Sequence, residues 1–162
     1  MFTINDNVVH FREGIATIID KTSMGGNDYF ILRVKRLPET SVYVPCNNPS
    51  NVIRPTLTNE EILELVKYAK GLECNFISNT KKRRDDFKYR LASKDIHDVI
   101  YLCKLLYLYK TLQELPEGVK FGPMDVDMLL DAHNRLFDEF SLVLNMDTAN
   151  LTEYLVNIAK TL

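Results

Sequence analysis

The side chains best suited to chemistry in this chain are cationic, and they are concentrated in one short segment. Residues 79–94 carry seven basic side chains against two acidic ones, a net charge of +5. Residues 112–162 carry three basic side chains against nine acidic ones, a net charge of −6. Clustered lysine and arginine bind a phosphate backbone by releasing its condensed counterions. The segment is a candidate nucleic-acid contact, although a solvated, salt-bridged helix end has the same composition.

Residues that could support catalysis or hold a metal are scattered along the chain. Its three histidines lie in three different predicted elements, and its three cysteines are far apart and form no C-x-x-C pair. No nucleotide-binding loop, nucleophile elbow or H-E-x-x-H motif is present. We therefore expect reduced thiols, no metal, no cofactor and no catalytic residue. The sequence favours a protein that binds macromolecules over an enzyme.

The first 55 residues have the alternation and turn residues of short β-strands. A Gly25-Gly26 pair predicts a hairpin turn, because glycine adopts positive φ without a steric penalty. The predicted strands are 8–11, 14–19, 29–34, 42–44 and 51–54. Several short strands with tight turns are typical of a small barrel. We predict a Tudor-like (SH3-like) β-barrel over residues 1–55.

Beyond Pro55 the apolar period becomes helical. Thr58 and Glu61 form a capping-box pattern, and Gly71 stands where the first helix should end. One further helix is predicted to open at Gly122-Pro123. The predicted N-caps of the other three are Asn79, Ser93 or Asp95, and Thr148. The fold class is therefore α+β, with a barrel followed by a bundle of about five helices over residues 56–162.

Five segments form an ordered set along the chain: residues 4–14, 29–34, 41–45, 79–83 and 91–95. Together they resemble the CarD family of bacterial transcription regulators. Residues 4–14, I-N-D-N-V-V-H-F-x-x-G, are similar to the family start F-x-x-G-D-x-V-V-Y-P-x-x-G. Residues 29–34 and 41–45 resemble the next strands, which end in V-P. Residues 79–83, N-x-x-K-R, and 91–95, L-A-S-K-D, resemble the N-W-x-x-R helix start and the L-x-S-G-D junction. The order and spacing of these segments together carry the resemblance.

The resemblance implies a function and two partners. Its N-terminal module would dock on the RNA polymerase β subunit, as does the similar module of transcription-repair coupling factor. Its helical part would contact upstream promoter DNA, largely without base readout, and modulate the stability of the open complex. In the family a tryptophan wedges into the minor groove. We therefore expect a cytoplasmic, nucleoid-associated, monomeric regulator with no membrane partner.

Candidate contact residues follow from the resemblance and the charge pattern together. The polymerase candidates, beside a sheet edge that could pair with a partner strand, are Lys21, Arg33, Lys35 and Tyr43. The phosphate candidates are Lys81, Lys82, Arg83, Arg84, Lys88 and Arg90. The chain contains no tryptophan, and Thr80 stands about where the family wedge lies, so Thr80 and Phe76 are the candidate wedge positions.

Two other interpretations remain open at this point. The protein could be an adaptor that docks on RNA polymerase without touching DNA, which the missing tryptophan favours and the basic segment opposes. It could also be an RNA-binding SH3-like module, but the barrel region has no dense basic and aromatic patch.

Overall fold

The computed structural model describes residues 1–161, which form two compact units. The first unit is Met1–Leu57 and contains strands, and the second is Thr58–Leu162 and contains helices. The division falls two residues beyond the boundary predicted from the sequence. The molecule is therefore α+β, with the two classes of element segregated along the chain.

The N-terminal unit is one antiparallel sheet of five strands. These are β1 Asn7–His10, β2 Gly14–Met24, β3 Asn27–Val34, β4 Ser41–Pro45 and β5 Ile53–Pro55. The sheet order is β4-β3-β2-β1-β5. Among the described residues β4 and β5 do not pair, so the sheet is open and both are edge strands. The predicted barrel is therefore replaced by an open sheet, whose longest strand, β2, shifts register between Ile18 and Asp20, as at a β-bulge.

The β2–β3 hairpin is longer than the sequence pattern predicts. Gly25 and Gly26 both have positive φ and form the predicted two-residue turn between Met24 and Asn27. The strands run right up to this turn, whereas the prediction ended β2 at Ile19 because polar residues follow. These polar residues are stabilised by cross-strand pairs and not by burial: Lys21 and Ser23 on β2 both contact Asp28 on β3.

One face of the sheet carries the core of this unit. Residues that alternate along the strands share this face, as expected for a sheet with one buried side. The buried members are Val8, Ala16, Ile18, Leu32, Val34, Val44 and Ile53. Partly buried Phe2, Phe30, Val42 and Val52 pack against them.

The second unit contains five α-helices. They are α1 Asn59–Gly71, α2 Thr80–Ala92, α3 Ile96–Tyr107, α4 Pro123–Leu144 and α5 Thr148–Thr161. A π-helical turn, Leu108–Leu112, continues α3, and Gln113 then ends it in the left-handed conformation. The capping box of Thr58 with Glu61 is present, as predicted. Asp95 caps α3, and Ser93 closes α2.

The core of the helical unit lies between α2, α3 and α4. Its buried members are Phe87, Tyr101, Leu102, Leu105, Leu106, Leu129 and Ala132. The start of α5 differs from the prediction: the Asp147 carboxylate accepts the Asn150 N–H, so Asp147 caps the helix one residue before Thr148. No helix within residues 1–161 is both long enough and apolar enough to cross a bilayer.

Candidate functional site

An exposed face of the N-terminal sheet brings together two of the four predicted polymerase contacts. In the register of β3 and β4, Arg33 stands opposite Ser41, and Ile31 stands opposite Tyr43. Directly opposed residues project from the same face of a sheet, and this face is the one away from the core. Tyr43 is 49% exposed although it is a large aromatic residue. Arg33 and Tyr43 therefore form a cationic and aromatic patch on the edge strand β4 and its neighbour.

The other two predicted contacts are placed differently. Lys21 stands opposite Phe30, whose side chain packs against the core, so Lys21 projects from the opposite face. Its Nζ lies 3.1 Å from Asp28 Oδ2, and this hydrogen bond and charge raise the pKa of Lys21. Lys35 follows β3 directly, and its N–H donates to the carbonyl of Ile15. The structure thus groups Arg33 with Tyr43 and separates Lys21 from them.

Most of the basic segment of the sequence forms α2, and the first arginine of this helix is buried. Arg83 is 1% exposed and Asp125, at the start of α4, is 0% exposed. Arg83 Nη2 lies 3.2 Å from Asp125 Oδ2 and 2.8 Å from the carbonyl of Lys120. Its Nη1 donates to the carbonyls of Ile77 and Ser78. Arg83 is therefore corrected from a phosphate contact to a structural residue, because a sequestered guanidinium cannot reach a phosphate.

Two further arginines of the segment also face carboxylates. Arg84 Nε lies 3.6 Å from Asp125 Oδ1, and the Arg84 side chain is 34% exposed. Arg90 donates to Asp86 at 2.9 Å and to Asp98 at 2.8 Å. Burial lowers the pKa of Arg90, but the hydrogen bond and charge of Asp86 outweigh it, so the pKa is raised overall. The Arg90 charge is therefore largely neutralised inside the helical unit and is a weak candidate for phosphate contact.

The lysines of α2 are placed differently from its arginines. Lys81, Lys82 and Lys88 are all exposed, and Asp85 lies among them on the same side of the helix. The helix begins at the predicted residue, since the Asn79 side chain accepts the Lys82 N–H at 2.9 Å. Of the six predicted phosphate contacts, these three lysines are the exposed ones, and Arg84 is half-buried.

The two candidate wedge positions, Phe76 and Thr80, also differ in burial. Phe76 is partly buried and packs against the core of the helical unit. The preceding residue, Asn75, is held through both its N–H and its carbonyl by the hydroxyl of Tyr101. Thr80 is exposed at the first position of α2. Phe76 is therefore held by packing and is not free to insert into a nucleic acid, while Thr80 is free but too small.

The grouping and burial of side chains within residues 1–161 determine which metal and thiol chemistry they can support. No group of three or more His, Cys, Asp or Glu side chains within residues 1–161 could share a metal ion. Burial raises the pKa of the Cys103 thiol to about 12, and burial also raises the pKa of Cys74. A thiol reacts as its thiolate, so both are less reactive than ordinary cysteines.

Comparison with known protein families gives a match to the N-terminal sheet. Residues 2–57 match the family model of the CarD-like/TRCF RID domain, where RID denotes the RNA polymerase-interacting domain. The N-terminal unit is a CarD-like/TRCF RID domain. Membership of this family points to RNA polymerase as its partner. No curated protein matches the chain.

The match covers the RID domain alone, so the helical unit is interpreted from its own residues. Sequence reasoning missed Tyr89 there, which is 72% exposed on α2. Its signal was helical spacing, since Tyr89 stands seven residues after Lys82 and thus on the same side of the helix. It also missed Asp125, because a partner 42 residues away from Arg83 leaves no local signal.

Proposed function

We propose that this protein is a bacterial transcription regulator that binds the β subunit of RNA polymerase through its RID domain. In this proposal the helical unit contacts upstream promoter DNA and modulates the stability of the open complex. The observation that carries the proposal is the RID match over residues 2–57, together with an exposed Arg33 and Tyr43 patch at the edge strand β4. The protein acts in the cytoplasm as a monomer and without catalysis.

The edge strand explains how such a domain can hold a partner. Among the described residues β4 pairs with β3 on one side, and its other side has no neighbouring strand. An extended segment of a partner can add to such an edge through main-chain hydrogen bonds, and neighbouring side chains then supply specificity. We interpret the open sheet as a Tudor-like module in which β4 is the docking edge. Tyr43 and Arg33 supply the side-chain contacts, since aromatic and arginine residues are common hot spots.

The lysine side of α2 supports the DNA contact. Lys81, Lys82 and Lys88 are exposed, whereas the three arginines of α2 all lie against carboxylates. Residues 112–162 of the helical unit carry a net negative charge, in contrast to the positive charge of residues 79–94. DNA would repel the acidic residues and attract the basic ones, which would orient the protein on DNA. Lysine contacts to phosphate position a protein without reading sequence. The proposed contact is therefore independent of promoter sequence.

Salt dependence tests the DNA contact. Three lysine contacts predict a log–log slope of the binding constant against salt of about −3, because each contributes about −0.9 on duplex DNA. Replacing Lys82 and Lys88 with glutamine should weaken binding to unrelated duplexes equally and flatten the slope by about two. Lys67, which is exposed on α1 and pairs with Glu64, provides a matched lysine-to-glutamine control. Binding that ignores both salt and the double substitution would contradict the DNA contact.

A second candidate function is an adaptor that docks on RNA polymerase and never touches DNA. The observation that favours it is the neutralisation of the basic segment: Arg83 and Arg90 are tied to Asp125, Asp86 and Asp98. Footprinting of a polymerase–promoter complex separates the two functions. An adaptor would leave the DNA footprint of polymerase unchanged, whereas a DNA-contacting regulator would extend it upstream.

A further inference from the structure

The most exposed tyrosine among the described residues lies within the lysine side of α2. Tyr89 is 72% exposed, compared with 49% for Tyr43 and 48% for Tyr107. Its side chain faces solvent in the last turn of α2, eight residues after Lys81. Leaving a ring of this size in water forgoes the stabilisation that burial of apolar surface gives. Tyrosine is enriched at binding interfaces, because it combines a large apolar ring with a polar hydroxyl group.

Helical geometry places Tyr89 among cations. Residues three, four and seven apart lie on the same side of a helix. Lys82, Asp85 and Tyr89 share one such row, and Lys81, Asp85 and Lys88 share the adjacent row. Tyr89 lies about 10 Å along the axis from Lys82, at a rise of about 1.5 Å per residue. We call this exposed side of α2, made of Lys81, Lys82, Asp85, Lys88 and Tyr89, the lysine–tyrosine face.

We propose that the lysine–tyrosine face binds unpaired, single-stranded DNA, with the Tyr89 ring stacked on a base and the three lysines on phosphates. A duplex hides the faces of its bases inside the stack, whereas an unpaired strand presents them to an aromatic ring. Cationic side chains along the backbone combined with an aromatic stacking platform are how proteins bind single strands without reading sequence. Asp85 is the one acidic member of the face and opposes the phosphates.

This inference rests on the proposed function, in which the helical unit meets promoter DNA, and it names the form of DNA that α2 prefers. Phosphate contact by the three lysines alone would serve a duplex equally well. The aromatic ring is what distinguishes the two forms. A single strand becomes available wherever promoter DNA is melted, so preference for it would stabilise the open complex through the displaced strand.

The test uses the full-length protein and fluorescence anisotropy with a labelled oligothymidylate of about 12 nucleotides, within the range that single-strand sites occupy. A duplex and an oligoribonucleotide of the same length are measured in parallel. We expect the single-stranded DNA to bind most tightly. Tyr89→Ala should weaken its binding by about tenfold, since stacking on one base contributes roughly this much. Tyr89→Phe should retain the affinity, because the ring remains.

Two substitutions serve as controls on the same helical unit. Tyr107→Ala removes another exposed tyrosine that lies outside the lysine–tyrosine face and should leave the affinity unchanged. Asp85→Asn removes the opposing charge and should strengthen binding by a few-fold, with a steeper salt dependence. The gain from Asp85→Asn cannot arise from a folding defect, so it tests the surface independently of Tyr89→Ala.

The outcomes separate this inference from the proposed function. Equal binding of duplex and single strand, with Tyr89→Ala equal to wild type, would overturn the inference and leave lysine contact to duplex DNA standing. Tighter binding of the oligoribonucleotide would also overturn it. Absence of binding to every nucleic acid would overturn the DNA contact itself and favour the adaptor.

Discussion

Replacement of Arg83 by methionine tests whether this arginine of α2 stabilises the fold or contacts DNA. Arg83 and Asp125 are both almost fully buried, and their charged groups lie 3.2 Å apart. Methionine keeps most of the apolar stem but leaves the Asp125 carboxylate without its main counter-charge. It also removes the donors that serve the carbonyls of Ile77 and Lys120.

The magnitude follows from what remains around Asp125 after the substitution. Breaking a buried ion pair by removing one partner costs about 3–5 kcal/mol. Asp125 keeps the Gly122 N–H at 2.8 Å and the Arg84 guanidinium at 3.6 Å, so we expect the lower part of this range. For a domain of this size a loss of about 3 kcal/mol lowers the Tm by roughly 10–20 °C.

The assay is urea unfolding of the full-length protein followed by far-ultraviolet circular dichroism, which reports mainly the helical unit. Lys88→Met is the matched control, because an exposed lysine should change the free energy of unfolding by less than about 0.5 kcal/mol. The double variant Arg83→Met with Asp125→Asn should lose less than the sum of the two single variants. Wild-type stability of Arg83→Met, combined with weakened DNA binding, would refute the structural role and return Arg83 to the phosphate contacts.

Three smaller predictions concern the scaffold. Thr58→Ala should lower the free energy of unfolding by about 1 kcal/mol in the same urea assay, because Thr58 accepts the Glu61 N–H in the capping box of α1; an unchanged midpoint would contradict this role. Tyr101→Phe should lower the free energy of unfolding by about 1–2 kcal/mol, since the hydroxyl bonds both backbone groups of Asn75. The substitution should also speed hydrogen exchange at the Asn75 amide, and an equally protected amide would contradict this role. Because burial raises the pKa of Cys103 to about 12, its thiol should be the slowest of the three to react with a disulfide reagent at mildly alkaline pH. Mass spectrometry of the labelled protein checks this order, and labelling of Cys103 before the other two would contradict it.

The order and type of most elements could be predicted because their signals are local. Alternating apolar residues marked the strands, and Thr58 with Glu61 and Gly122 with Pro123 marked helix starts that the structure confirms. The open sheet could not be predicted, because closure depends on whether β4 and β5 meet, and neither strand carries a local signal for that contact. The length of β2 was also underestimated, since polar cross-strand pairs support its outer half.

The structure separates residues of the basic segment that the sequence pattern treats alike. A count of charges identifies α2 as basic, but it cannot distinguish Lys82, which is exposed, from Arg83, which is buried against Asp125. That distinction is set by tertiary contacts between residues 42 positions apart. Tyr89 was not predicted as a contact residue, because the sequence does not show whether a tyrosine in a helix is buried or exposed. The structure shows that it is exposed.

Binding of the full-length protein to purified bacterial RNA polymerase, measured by biolayer interferometry, tests the central claim most directly. Tyr43→Asp places a charge on the exposed face of β4 and should weaken binding by at least about tenfold, the effect expected of a hot-spot residue. Lys21→Glu, on the opposite face of the sheet, should change the affinity by less than about twofold, in line with the small effect of exposed charge pairs. Amide NMR spectra, in which the strand residues give dispersed signals, check that the sheet of both variants is folded. Wild-type affinity of folded Tyr43→Asp, or loss of binding in Lys21→Glu alone, would contradict docking of the RID domain through the face that carries Arg33 and Tyr43.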